Sequence, residues 1–265
     1  MVFCTWCPPT YVGLRGSGSL SETTPTRGYP GFFLGTQNLE SWNVFSPFPH
    51  SLMTSINQAS LLAKDIQKQK QEIRQLAIQK RQESKKFDTD DFKSALLSVF
   101  RGFVSETASV VLKTDRRRLI GAAYSADESE IDPLPIVTFL NNAGWQTALP
   151  RIEKDVSLSF RAWQPGDDLV IGKFDMQEPA SRSSIVTPDL VIAPLLAFDN
   201  YGNRLSRGGG YYDRALKTLR AQGKVLVVGI AFETQLFDLI PNEEHDEKLD
   251  FVLTPSGVHH FEAVK

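Results

Sequence analysis

An open, mainly parallel α/β sheet covered by helices on both faces, three-layered and Rossmann-like, is the fold class this sequence predicts. It is carried by a single domain behind an irregular N-terminal tail. Three observations predict it. Short apolar runs alternate with helical periodicities from about residue 118 onward. Two of those runs, LVIAPLLAFD (190–199) and VLVVGIAF (225–232), are almost wholly apolar, as strands buried on both faces must be. A run of three glycines in RLSRGGGYYDR (204–214) stands where a strand hands over to a helix, at the end of the sheet where such folds bind ligands.

The elements follow in order. Residues 1–52 hold only four charged residues (Arg15, Glu22, Arg27, Glu40), six Gly and six Pro, with no sustained apolar period. They read as an unstructured or non-native extension, with Met53 falling just before the chain changes character, and 53–265 reads as the catalytic domain. A helix is expected over 56–86, from Ile66, Ile73, Leu76 and Ala77 at helical spacing among many Lys, Arg and Gln. A second helix, 89–113, is announced by the capping cluster Asp88-Thr-Asp-Asp. Then come a strand at 118–124, a helix at 132–144 with prolines in its first turns and Gly144 at its end, and strands at 145–150 and 158–163. The run 190–199 is read as one buried strand, 211–223 as a helix, 225–232 as a central strand and 251–255 as the last.

Composition narrows the function classes. With 265 residues, 41% hydrophobic and 23% charged, and a formal net charge of −2, the chain suits a globular core and not a bulk polyanion binder, so no nucleic-acid partner is expected. No apolar run approaches the roughly 18 residues needed to span a bilayer, and the first residues lack a secretory pattern. No membrane partner and a cytoplasmic location are therefore expected. Cys4 and Cys7 form a C-x-x-C, but no second pair completes a four-ligand zinc site, and they read as incidental.

The glycine run carries chemistry. Without Cβ atoms, Gly208, Gly209 and Gly210 let backbone N–H groups close on an anion, and a helix starting beside them aims its positive end at the same place. Arg204 and Arg207 add charge-assisted hydrogen bonds to phosphate oxygens, and Asp213 on the first helical turn offers a hard oxygen to magnesium. The pattern is neither a Walker A loop nor a dinucleotide fingerprint.

FDNYGNRLSRGGGYYDR (198–214) resembles the signature of the 5-formyltetrahydrofolate cyclo-ligase family. Ordered matches run through KQEIR (70–74), ESEID (128–132), ALPR (148–151), VTPDLVIAPLLAFD (186–199) and GIAFETQLFDLIPNEEHDEKLDFVLT (229–254). The resemblance spans about 57–257. It implies an enzyme that uses ATP and Mg2+ to turn 5-formyltetrahydrofolate into 5,10-methenyltetrahydrofolate, releasing ADP and phosphate. It also implies roles. Lys70 and Arg74 match the basic pair at the ATP phosphates, and Arg204 through Tyr212 match the nucleotide loop. Arg207 and Tyr211 also lie close to the folate and are the candidate catalytic residues. Glu130 matches the acidic residue of the pterin pocket, and Asp213 and Asp246 match the magnesium carboxylates. Tyr212 reads equally well as a core aromatic, and His245 reads as a surface residue. Ser206 stands where many relatives have glycine. If that position needs a positive φ, a serine there costs roughly 1 kcal/mol or more.

Two other readings follow from a sheet of this kind alone. One is a sugar-phosphate isomerase or CoA-transferase-like enzyme, which needs a positioned base and no ATP. The other is a non-catalytic folate- or nucleotide-binding relative, expected to have lost Asp213, Asp246 or the basic pair. A monomer is expected over an oligomer. A chain beginning at Met53 is expected to keep the stability and turnover of the full chain, as thermal unfolding and an activity assay of both would check. A large loss of turnover in the shorter chain would bring the tail into the site.

Overall fold

The computed structural model describes residues 50–112, 118–155 and 157–261. Cys4, Cys7 and the remainder of 1–49 lie outside the described residues. Helix α1 (His50–Ser84) begins earlier than its apolar period predicts. The side it turns inward is also different. Leu76 is exposed, while Lys70, Ala77, Arg81 and Ser84 are buried. Those four recur at helical spacing, so the inward stripe of α1 is largely polar.

Thr89 caps α2 (Asp90–Phe103), its Oγ1 accepting from the Phe92 N–H at 3.3 Å, with Asp90 and Asp91 complementing the dipole in the first turn. The single helix expected to 113 is interrupted. A π-turn at Val104–Ala108 precedes a short α3 (Ser109–Val111), and the Ser109 hydroxyl donates to the Val104 carbonyl at 2.6 Å, five residues back.

The sheet then forms from β1 (Ile120–Ala122), β2 (Gln146–Ile152), β3 (Leu158–Ala162), β6 (Leu190–Ile192), β9 (Leu226–Ile230), β10 (Phe251–Thr254) and β11 (Gly257–His260). Its order is β11-β10-β9-β6-β1-β2-β3. The inner pairs β10–β9, β9–β6, β6–β1 and β1–β2 are parallel, and the outer pairs β10–β11 and β2–β3 are antiparallel. Helices α4 (Leu134–Asn142) and α5 (Tyr211–Gln222) fill crossovers.

Strand alternation divides the core by face. Leu190, Ile192, Leu226, Val228, Phe251 and Leu253 join one cluster with Phe100 and Phe103 of α2 and Ile136 and Leu140 of α4. Val191, Val227 and Val252 join a second with Leu216 and Leu219 of α5. Helices thus cover both faces, and the all-apolar strands have the physical reason the sequence suggested.

One strand differs from its reading. The run 190–199 is not continuous, because Pro194 has no N–H to give a ladder and the chain leaves the sheet after Ile192. Residues Ala197–Phe198 (β7) instead pair antiparallel with Arg204–Leu205 (β8). The turn between them is held by the buried Asp199, whose carboxylate accepts from the N–H groups of Tyr201, Asn203 and Ile240 at 2.9 Å each. A further hairpin that the sequence reading lacked, β4 (Leu169–Ile171) with β5 (Gln177–Pro179), stands beside the sheet.

The segment after Pro194 lies on the sheet only because Gly229 makes room. A Cβ at Gly229 would stand 2.5 Å from Leu195 Cδ2 and 3.0 Å from Val252 Cγ2. Gly229→Ala is therefore expected to cost about 1–3 kcal/mol of stability by overpacking, read as a lower urea midpoint with unchanged slope. A midpoint equal to wild type would show that Leu195 gives way freely.

Candidate functional site

Three cations of α1 reach three different loops. Lys70, 4% exposed, donates from Nζ to Glu243 Oε2 at 2.8 Å and to Asp246 Oδ2 at 2.5 Å. Arg74 donates from Nε to the Ser206 carbonyl at 2.9 Å, and its guanidinium would stand 3.4 Å from a Cβ at Gly208. Arg81 donates to Glu130 Oε1 at 3.3 Å and to Ser129 Oγ at 2.6 Å.

The glycine loop follows β8 and opens α5. Gly208 and Gly210 hold positive φ (+98° and +65°), a conformation side chains disfavour, and Gly210 is the N-cap of α5. A Cβ at Gly209 would stand 2.8 Å from the Tyr211 ring, and one at Gly210 2.8 Å from Arg214 Nη1. Ser206 is not among the residues of positive φ, so serine brings no left-handed strain there.

The base of the loop is clamped by charge. Arg204 donates from Nη2 to Asp213 Oδ1 at 2.7 Å, both side chains being buried, and from Nη1 to the Pro194 carbonyl at 3.1 Å. The Glu247 N–H donates to the same Asp213 oxygen at 3.2 Å, which brings the 243–247 loop beside α5. Asp213 and Asp246, far apart in sequence, thus belong to one neighbourhood. In each the described hydrogen bonds fall on one carboxylate oxygen, and the other carries none among the described residues. Those two free oxygens suit a hard cation such as magnesium. Glu243, His245 and Asp246 also offer ligand atoms within 4.8 Å of one another, with the His245 side chain well exposed.

Two concavities meet at this loop. The larger, about 600 Å3, is lined by Arg81, Asp127, Glu130, Arg204, Arg207, Tyr211 and Tyr212, with Phe174 and Met176 from the β4–β5 hairpin. The smaller, about 310 Å3, is lined by Gly208, Gly209, Gly210, Asp213, Arg214, Lys217 and His245. Gly209 and Gly210 border both.

In the larger cleft Glu130 is the buried acid of its loop, while Glu128 and Asp132 are exposed. Its Oε2 accepts from the Asp127 N–H at 3.1 Å. Burial first, and the Asp127 charge second, raise its pKa above the ordinary value, against the pull of Arg81 and Arg207. Because the folded value lies above the unfolded one, Glu130 contributes to folding most fully below its unfolded pKa. That contribution is lost as pH rises through the raised value. Burial pushes Asp127 upward too, but the hydroxyl and N–H of Ser129, with Arg207, outweigh it and hold Asp127 below the usual range. Arg207 pairs with Asp127 through Nη2 and lies 3.8 Å from Glu130 Oε1.

Tyr211 packs edge-on against Phe174, and Lys173 Nζ approaches its hydroxyl at 3.4 Å. Tyr212 packs edge-on against Phe160, and its buried hydroxyl has no hydrogen-bond partner among the described residues. Burial pushes that phenol well above its ordinary pKa. Tyr212 packs against the core, as its core reading expects, and one side of it lines the larger cleft.

Sequence reasoning missed Arg81, Ser129, Asp127, Glu243 and the hairpin. Arg81 carried a signal, standing seven residues after Arg74 and eleven after Lys70, on the same side of the helix.

A model described as the 5-formyltetrahydrofolate cyclo-ligase family matches residues 66–255. The 5-formyltetrahydrofolate cyclo-ligase of Escherichia coli K12 is 36% identical over 143 residues, 52% of this chain and 78% of that one. The enzyme of that name from Mycolicibacterium smegmatis is 33% identical over 142 residues, 50% of this chain and 72% of that one. An Arabidopsis thaliana relative, 36% identical over 111 residues (35% of this chain, 40% of that one), is named mitochondrial. Among solved structures, Aquifex aeolicus 5,10-methenyltetrahydrofolate synthetase superposes with a TM-score of 0.56 at 25% identity, covering 74% of this chain and 94% of that one. No helix among the described residues is long and apolar enough to cross a membrane.

Asp213→Ala would leave the buried Arg204 guanidinium without its counter-charge. It is expected to destabilise the ligand-free protein by about 3–5 kcal/mol, measured by urea unfolding. A loss below about 1 kcal/mol would mean that Arg204 is solvated and the loop base is not clamped by charge.

Proposed function

This chain belongs to the 5-formyltetrahydrofolate cyclo-ligase family and has that activity, and we propose that it uses Mg-ATP to convert 5-formyltetrahydrofolate into 5,10-methenyltetrahydrofolate, with ADP and phosphate as the other products. The observation that carries the proposal is the glycine loop bordering two concavities at once. A co-substrate phosphate and a folate formyl group can meet only where both sides touch one bare stretch of backbone.

The chemistry requires such a meeting. A formamide oxygen is a poor leaving group, and phosphoryl transfer from ATP would convert it into a good one, so that N10 closes the ring with loss of phosphate. What remains for the protein is positioning and positive charge. On this reading the N–H groups of Gly208, Gly209 and Gly210 cradle phosphate oxygens, with Lys70, Arg74 and Arg204 supplying charge behind them. Asp213 and Asp246 hold magnesium through their open oxygens. Arg207 and Tyr211, which line the larger concavity beside the glycines, act on the transferring group and the folate. Arg207 is 60% exposed in its side chain and is held by Asp127. It exchanges that partner for the substrate when both ligands bind. Glu130 accepts from the pterin amino group and ring N–H.

No step on this reading needs a nucleophilic Ser, Cys or His, and a monomer in the cytoplasm is retained as part of the proposal, beside the relative named mitochondrial. Incubation with 5-formyltetrahydrofolate and Mg-ATP, followed by the absorbance of the methenyl product, tests the reaction directly. Product formed without ATP would overturn the ATP-dependent reading.

The subsites separate by substitution. Lys70→Ala is expected to raise the KM for ATP and lower kcat while sparing folate binding. Glu130→Gln is expected to weaken folate by about 1–3 kcal/mol while sparing ATP, because an amide presents a donor toward pterin donors. Calorimetric titration of each variant with each ligand checks both, and a reversed pattern would exchange the two subsites.

A further inference from the structure

We propose that Arg81 is a positioning residue of the folate subsite, fixing the Glu130 carboxylate in orientation and in its charged form from beneath the cleft. The inference rests on the reading of Glu130 as the pterin acceptor.

Arg81 is 3% exposed yet lines the cleft. Its Nη1 donates to Glu130 Oε1 and to the Leu195 carbonyl, both at 3.3 Å, and its Nη2 donates to Ser129 Oγ at 2.6 Å. A planar guanidinium held by a carboxylate, a carbonyl and a hydroxyl has one orientation available. Ser129 is fixed in turn, donating its N–H and its hydroxyl to Asp127 Oδ1 at 2.8 and 2.7 Å. Asp127 returns the tie through its N–H to Glu130 Oε2. Each Glu130 oxygen therefore takes one hydrogen bond from the protein, at 3.3 and 3.1 Å, and each keeps lone-pair capacity for a ligand in the cleft that Glu130 lines. The Arg81 Nε is buried and has no hydrogen-bond partner among the described residues.

Several charged or titratable groups face Glu130. Arg81 and Lys85 come from α1, Lys85 donating at 2.6 Å to the Glu130 carbonyl and not to its carboxylate. Asp127 and Asp132 flank it on its own loop, Tyr124 follows β1, Arg207 comes from the glycine loop and Tyr212 from α5. The two cations that act on the carboxylate differ in their surroundings. The Arg207 side chain stands 60% in solvent, where its field is screened, whereas the Arg81 side chain is 4% exposed. Burial and Asp127 work to neutralise Glu130. A neutral carboxyl would present a proton toward pterin donors. Arg81 is the buried charge that opposes this.

The test is the pH dependence of 5-formyltetrahydrofolate affinity, measured by calorimetry on the full chain. For wild type, affinity is expected to fall as pH drops through the raised pKa of Glu130. Arg81→Met should move that acid limb to higher pH by about one unit or more, the scale of losing one close opposite charge. Arg81→Lys keeps the charge but not the fork. Its acid limb should stay near wild type while affinity drops several-fold at every pH. Affinity for ATP should be unchanged in both. If Arg81→Met does not fold, the Arg81→Lys profile decides alone: a limb held in place with reduced affinity supports the proposal, and wild-type affinity throughout overturns it. An Arg81→Met variant whose affinity falls equally at all pH values, or which loses ATP binding to the same extent, also overturns it. Glu130→Gln separates this failure from that of the underlying reading. If Glu130→Gln weakens folate and removes the acid limb while Arg81 variants leave the limb in place, only the Arg81 role fails. Intact folate affinity in Glu130→Gln sinks both.

Discussion

A helix that turns its cations inward is the constraint on which the site depends. Lys70, Arg74 and Arg81 lie along one side of α1, and the apolar help beside them is small, chiefly Ala77 with the partly buried Ile73. Removing a cation from water is tolerable only with partners of good geometry. Each therefore selects a loop that can answer it. Lys70 takes the acidic 243–246 turn, Arg74 takes a carbonyl of the glycine loop, and Arg81 takes Glu130 and its neighbours. Three loops that follow three different strands are drawn to one helix. Packing α1 by an apolar stripe would have supplied stability without saying where those loops go.

The same charges set conflicting demands on the carboxylates. Glu130 favours folding most when protonated, because burial penalises its charge, yet the proposed pairing of both its oxygens with pterin donors requires the ionised form. Asp213 is instead paired, in a buried contact, with Arg204. Asp246 is paired with Lys70, which is nearly as enclosed. In both, the cation and a backbone N–H share one carboxylate oxygen, and the other carries no hydrogen bond among the described residues. Pre-organisation of this kind is what phosphoryl transfer asks of a protein, since the reacting groups supply the bonds and the enzyme supplies the field.

How far the sequence could be read follows from the same physics. Strands β6, β9 and β10 were legible because a sheet covered on both faces admits only apolar residues, and the turn in RLSRGGGYYDR was legible because Gly208 and Gly210 hold a positive φ that side chains disfavour. The break after Ile192 was hidden by the apolar residues on either side of Pro194, which bury themselves equally well on leaving the sheet. The β4–β5 hairpin was hidden because its turn carries no glycine where φ is positive. Phe174 and Asp175 adopt φ of +58° and +57° instead. Arg81 was hidden among eight Lys and Arg between Lys64 and Lys86, where composition describes a solvated helix. Only the tertiary partners distinguish it from Lys80, whose ammonium rests over the ring of Phe237.

The glycine loop shows why a fixed base and a bare tip belong together. Arg204 and Asp213 stand nine residues apart and close on each other in a buried ion pair, so the loop is tied at its root whatever its tip does. Arg74 holds the Ser206 carbonyl on the way out, and the αL N-cap at Gly210 sets the direction of return. Between those points the chain carries one long side chain, Arg207, which stays largely in solvent, and three glycines, of which Gly209 and Gly210 border both concavities. Side chains at the glycines would fill the space between the cleft and the smaller pocket, and a loop without its clamp would spend ligand binding energy on ordering itself. The arrangement instead puts the ordering into the fold and leaves the tip open to two concavities.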